Sequence, residues 1–319
     1  MRETMKLASL FVDSISWLTI RDEDYVNEEL PNDYHFISPY LFAEKTYYGN
    51  PLASSVRTYI HNGQRLTSGD MANKVLDHSK GIKWDAFIVA QSYPDRYSLN
   101  PPLARLLEEG PIHCEKYFGL SHLGSLASVE FIPVLQWSMY HQALIVFTEQ
   151  RILPPIYENG LCPLVDMAVS LELKAKKGAL EIQYEGKYKI NKLQANTVIE
   201  SLKVKYKPDI TIVQSRLSSF LNITENKLIA DAQSGDIWVQ LAEWLTVNQP
   251  CAGTKIMLVA WDYKNQLSVC CVIVHSQPVL NRITFTEGEI CPEESRLHNW
   301  GNWGATVKDS STNVTCFYS

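Results

Sequence analysis

Several familiar signatures are missing from this chain, and each absence narrows what it can do. The seven cysteines, Cys114, Cys162, Cys251, Cys270, Cys271, Cys291 and Cys316, contain no CxxC pair. The usual structural-zinc spacing and a disulfide framework are therefore both missing. Cys270 and Cys271 lie in an apolar, strand-like run, so the thiols are expected to be reduced and mostly buried. No GxGxxG or Walker sequence occurs, which leaves nucleotide cofactors without a phosphate cradle. Concentrated positive charge is also lacking. The net charge is -6, and the lysines of 174–177 and 203–207 read as solvated faces rather than a nucleic-acid footprint. No apolar run approaches the roughly 20 residues needed to span a bilayer. The apolar patch before Asp13 has no small-residue cleavage site behind it, so it is expected to be a strand and the protein cytoplasmic. The sequons at Asn222 and Asn313 would matter only in a secreted chain.

What is present is a large apolar reserve. A chain of 319 residues that is 45% hydrophobic can bury an extensive core, as two domains or one duplicated α/β unit. Short β-rich runs alternate with helical patterns, which favours an α/β sheet covered by helices on both faces. The clearest strands are Asp85 to Ala90, Ala143 to Thr148, Ile210 to Val213, Lys255 to Trp261 and Leu267 to Val274. Asp70 is placed to cap a helix from Met71 to His78, Pro101 to Glu109 is short and amphipathic, and Leu126 to Tyr140 forms a helix that Pro133 should kink. Val165 to Leu173 and Gly178 to Tyr184 alternate like two strands joined by a lysine-rich turn. These patterns divide the chain into a first half over 1–163, a second over 164–277 and a loop-rich extension over 278–319. The tryptophans of that extension, Trp300 and Trp303, read as packing anchors.

Residues Glu115 to Ile132 read as a strand turning sharply into a helix through Ser121-His122-Leu123-Gly124-Ser125. Around this elbow stand other landmarks in fixed order. Leu66 to Leu76 reads as a helix, Trp84 to Ser92 as a strand and loop, Ala143 to Glu149 as a strand ending in an acid, and Cys251 to Trp261 as a turn and strand. In this order the chain resembles β-ketoacyl-ACP synthase III of the thiolase superfamily, over about Leu66 to Val274. The resemblance implies a thiolase-like α/β fold of two duplicated βαβαβαββ halves, layered αβαβα.

In that family a cysteine at a helix N-terminus is activated by amide donors and the helix dipole. A histidine and an asparagine then stabilise charge on the thioester oxygen. The matching positions here are Gly124, Gln214 and Asp236, and none carries the family's residue. The family's glycine-rich hairpin is replaced by Asp262-Tyr263-Lys264-Asn265, and its Gly-Asp-Gly-Ala segment by Glu158-Asn159-Gly160-Leu161. The resemblance therefore implies no catalytic residues, cofactor or metal, but a ketosynthase scaffold that lost its chemistry.

Other groups are candidates to supply chemistry instead. Ser125, activated by His122, would give an acyltransferase acting on acyl-CoA or acyl-ACP. The competing reading is a helix-capping hydroxyl beside a surface histidine, and it is favoured because Gln214 is no base. His113 and Cys114 are neighbours on a strand and should point to opposite faces. Their spacing with His122 matches no zinc site, and Cys114 is expected to be a buried structural thiol. Trp238 and Tyr263 would close any acyl tunnel. Since family members are dimers, the resemblance implies a catalytic ketosynthase paralogue as partner in a heterodimer or heterotetramer, with acyl carrier protein as a further candidate partner.

Overall fold

The computed structural model describes residues 9–20, 25–29, 55–61, 64–92, 102–108, 112–121, 123–138, 140–150, 165–190, 194–215, 217, 233–262 and 265–285. In chain order the elements are β1 (Leu10–Thr19), β2 (Tyr25–Glu29), β3 (Ser55–His61), β4 (Gln64–Arg65), α1 (Ser68–Val75), β5 (Lys83–Ala90), α2 (Pro102–Glu108), β6 (His113–Leu120), α3 (Ala127–Ser138), β7 (Gln142–Glu149), β8 (Met167–Lys174) and β9 (Leu180–Lys189). They continue with α4 (Ala195–Tyr206), β10 (Ile210–Val213), α5 (Asp236–Asn248), β11 (Lys255–Asp262), β12 (Gln266–Val274) and β13 (Val279–Arg282). Short 3₁₀ turns at Gly124–Leu126 and Gln233–Gly235 lead into α3 and α5. Strands β2, β3 and β4 form a small separate sheet.

The large sheet runs β10-β11-β12-β9-β1-β8-β7-β5-β6, with β13 beside β1. It contains one plan twice. The series β5, β7, β8, β1 and the series β10, β11, β12, β9 each begin with a parallel pair, and in each the third strand is antiparallel to both neighbours. β6 adds a further parallel strand outside β5. The two series meet where Leu10–Val12 of β1 pairs antiparallel with Leu180–Ile182 of β9. This is the duplication the resemblance implies.

Period-two alternation explains the layering. On β11, Ile256, Leu258 and Ala260 join a central core, while Met257, Val259 and Trp261 join an outer one. On β7, Ala143, Ile145 and Phe147 face the centre, while Leu144 and Val146 face outward under α1. The central core also holds α3 and α5, and the third core lies under α4. The layers are therefore α1 with α2, the first half-sheet, α3 with α5, the second half-sheet, and α4. Because α3 is covered on both sides, it is apolar nearly all round, with Val129, Phe131, Ile132 and Leu135 buried.

Several sequence expectations need correction. Thr67, not Asp70, is the N-cap of α1; Asp70 sits at the third helical position and closes a capping box with it. The runs around 165–173 and 178–184 do form strands, β8 and β9, but β1 lies between them. Helix α3, with Pro133 inside it, runs over Ala127–Ser138 rather than on to Tyr140. The C-terminal extension opens on β13, which pairs parallel with Ser14–Trp17, and its Ile283 and Phe285 pack on the core under α1. Trp300 and Trp303 lie outside the described residues. Among the described residues no helix is long and apolar enough to cross a membrane.

Candidate functional site

The two 3₁₀ turns face one another in the central layer, at the starts of α3 and α5. Each opens on a residue with left-handed backbone, Gly124 at φ 55° and Gln233 at φ 50°. Each places a serine next, Ser125 and Ser234. At Gly124 the conformation suits glycine. At Gln233 it costs about 1–2 kcal/mol that the surroundings must supply.

Ser125 is buried, and its hydroxyl is claimed twice. It donates to Gln233 Oε1 at 2.9 Å and accepts from Gln214 Nε2 at 2.5 Å. Gln214 is fixed in turn, its amide oxygen accepting from the Trp261 N–H at 3.1 Å and its own N–H donating to Val259 O at 2.9 Å. Both partners of Ser125 are neutral amides, and neither can take a proton from it at ordinary pH. The hydroxyl caps no helix, so the capping role expected for it is replaced by a link between the two halves. His122 lies outside the described residues.

Gly124 is also buried, and among the described residues a β-carbon added there would meet only Asp262 Cβ, at 4.0 Å, an ordinary contact distance. The residue overlooking the position is Asp262, whose carboxylate accepts from Gln266 N at 2.8 Å and so helps close the β11–β12 hairpin. Tyr263 and Lys264 of that hairpin, and the segment 158–161, lie outside the described residues.

Asp236 belongs to a neighbouring network. Its carboxylate accepts from the Ser215 N–H at 2.6 Å, the Ser215 hydroxyl at 2.8 Å and Gln240 Nε2 at 2.9 Å. This ties the first turn of α5 to the loop after β10. The side chain that reaches the first elbow from this region is Gln233, three positions earlier in the chain. Sequence reasoning missed Gln233 and Ser234. The signal that could have exposed them is internal: Gln91-Ser92 after β5 recurs as Gln214-Ser215 after β10, which sets the two halves in register.

On the second elbow, the Ser234 N–H and hydroxyl both donate to Glu149 Oε1. A serine beside a carboxylate has the composition of a nucleophile and base, yet Ser234 is fully buried. At Gly235 a β-carbon would collide with Met167 Cε at 1.9 Å, so there is no room there for a substrate. Trp238 is also core: it packs on Phe131 and donates to Ser128 O at 2.8 Å, filling the gap between α3 and α5.

The remaining candidates do not converge on the elbows. His113 is exposed on β6, and Cys114 is half-buried rather than buried, packed against the outer core of the first half. Cys270 faces the central core and Cys271 the outer one, while Cys251 is exposed. Burial raises the thiols of Cys114, Cys270 and Cys271, the last to about 11, which makes each a poorer nucleophile at neutral pH. Among the described residues no group of three or more His, Cys, Asp or Glu could hold a metal ion.

No protein-family model matches the sequence, and no curated protein does. Solved structures do match the fold. The chain is similar to the acyltransferase ChlB3, at 10% identity and a TM-score of 0.54, over 84% of this chain and 98% of that one. It is similar to 3-oxoacyl-(acyl carrier protein) synthase III from Pseudomonas aeruginosa PAO1, at 12% identity and a TM-score of 0.51, over 85% and 99%. It is also similar to a variant of OleA from Xanthomonas campestris, at 12% identity and a TM-score of 0.53, over 85% and 100%. At such identities the likeness shows the fold alone, and that fold is thiolase-like.

Proposed function

We propose, from a thiolase-like fold whose first elbow carries glycine, that this chain is a non-catalytic ketosynthase-III-like subunit. In this reading it pairs with a catalytic ketosynthase in fatty-acid-like, polyketide or related secondary-metabolite biosynthesis. The observation that carries the reading is the state of that elbow. Gly124 offers no nucleophile, and the adjacent Ser125 hydroxyl is committed to two neutral amides. Acyl transfer needs an activated nucleophile and a proton acceptor, and the described residues supply neither there.

The surface around β6 supports a partner. Among the described strands β6 pairs only with β5, so this eight-residue strand is an edge of the described sheet, of the kind that invites strand addition. Tyr117 on this strand is 57% exposed. Lys116 lies 5.6 Å from the ring centroid of Tyr140, just past the end of α3, where Trp137 is 72% exposed. Exposed aromatics thus border the β6 edge, Tyr117 from one face of the strand and Tyr140 with Trp137 near the other, and such residues anchor protein interfaces.

Co-expression with a ketosynthase of intact cysteine, histidine and asparagine tests the proposal. Co-purification at fixed stoichiometry is expected, with poor solubility of this chain alone. A well-behaved monomer that binds no ketosynthase would defeat it. Intact-mass measurement after incubation with acyl-CoA or acyl-ACP is expected to show no adduct; an acyl group on Ser125 or a cysteine would instead establish an acyltransferase with a relocated nucleophile.

A further inference from the structure

The duplicated plan leaves one strand over, because β13 belongs to neither series. It stands where the two halves part. β9 pairs with β1 over Leu10–Val12, the register of β1 shifts between Val12 and Ser14, and from Ser14 to Trp17 the neighbour is β13. A bulge of this kind bends a strand, so β1 meets one partner before the bend and another after it. Asp13, at the bend, accepts from the Ala179 N–H at 3.1 Å.

The approach to β13 is anchored on the second half. The His275 N–H donates to Ala179 O at 2.8 Å, its Nε2 lies 3.0 Å from Glu181 Oε2, and Gln277 Nε2 donates to Pro250 O at 3.0 Å. The far end is anchored on the first half. There the Ile283 N–H donates to Trp17 O at 2.8 Å, and Ile283 and Phe285 pack on the outer core while Leu280 packs on the central one. Glu243 of α5 joins both strands, accepting from Trp17 Nε1 at 3.0 Å and facing Arg282 Nη1 at 3.7 Å.

We propose that residues 275–285 are a strap across the seam between the halves: they give β1 the neighbour that β9 gives up and hold α5 to it, so that β1 and α5 stay joined only while β13 is seated.

Burial gives the strap its leverage. Ile15, Ser16 and Trp17 are buried, and main-chain groups in such a stretch cost free energy when left unpaired. The direct ladder between β1 and β9 spans three residues of β1, and β13 extends the paired edge by four. The strap acts whether or not the first elbow is catalytic.

The test is amide hydrogen exchange on the full chain and on Ile283→Pro, which removes the N–H given to Trp17. Protection of Ser14–Trp17 and of α5 is expected to fall about tenfold or more, while α4, packed on the outer core of the second half, keeps its own. Unchanged protection at β1 and α5 overturns the strap, and so does an equal fall at α4, which would mean general loosening. Arg282→Glu alters an exposed side chain and sets a like charge before Glu243. A fall of about threefold at the same two places is expected there, and it decides the matter should Ile283→Pro not fold; no change at either place refutes the strap.

Discussion

Ser125 Oγ and Gln233 Oε1 stand 2.9 Å apart and join the two elbows directly. The serine belongs to the first half and the glutamine to the second, so the position next to the vacant Gly124 has become a fastening between them. Ser125→Ala should therefore cost stability rather than turnover. It strands two buried amide groups, at about 1–3 kcal/mol. Chemical denaturation measures that loss, and unchanged acyl labelling would separate it from loss of a nucleophile.

Restoring the side chain at Gly124 is a second test. Gly124→Ala should cost about 1–2 kcal/mol for the left-handed backbone, with little steric penalty because the nearest side-chain atom among the described residues is 4.0 Å away. Gly124→Cys should fold with a buried thiol and still not condense thioesters, because Gln214, the amide held against Ser125, is no base. Thiol alkylation slower than that of Cys251 and an unproductive assay with malonyl and acyl thioesters are expected; condensing activity would show that the scaffold kept its other catalytic groups.

Stability should fall as pH rises toward the value of about 8 to which burial pushes the Glu149 carboxyl. The folded state holds this proton up to about pH 8, whereas an unfolded glutamate releases it near 4.5. Between those values the folded state binds more protons, so raising the pH favours unfolding, and the dependence flattens above pH 8. Thermal melts between these limits should show the decline in wild type and a much shallower one in Glu149→Gln.

Trp238→Ala probes the central layer. It removes a ring buried between α3 and α5 and leaves a cavity against Phe131, at about 3–5 kcal/mol. The measurement is the denaturation midpoint; a small effect would mean that the layer closes around the gap.

The proposed partner surface predicts the opposite behaviour. Tyr117→Glu and Trp137→Glu alter exposed side chains and should leave the chain's own stability within about 0.5 kcal/mol. Recovery with a ketosynthase in pull-down should nonetheless fall sharply. Unchanged recovery would move the interface elsewhere.

How much of this was legible in the sequence depended on whether the signal was local. Strands β5, β7, β10, β11 and β12 show as apolar runs bounded by turns, and the first elbow shows because Gly124 marks its own backbone. The second elbow is hidden, since a left-handed glutamine carries no such mark. The family's third position was consequently placed at Asp236, and nothing in the sequence pointed to Gln233 as a partner of Ser125. The pairing of β8 and β9 misleads for a different reason. Two alternating runs with a short link resemble a hairpin, and nothing nearby tells that β1, far back in the chain, occupies the space between them.

That placement of β1 bears on how the chain folds. Leu10–Thr19 precedes all of its partners, since β8, β9 and β13 lie at 167–174, 180–189 and 279–282. This ten-residue strand must therefore wait until residue 167 is made before its first neighbour begins, and until residue 279 before its last. Contacts of such long sequence separation slow folding and leave strand edges open to aggregation. Ribosome-bound chains that stop before β8 should remain protease-sensitive at β1, and chaperone demand during synthesis should track the time between these two ends of the sequence.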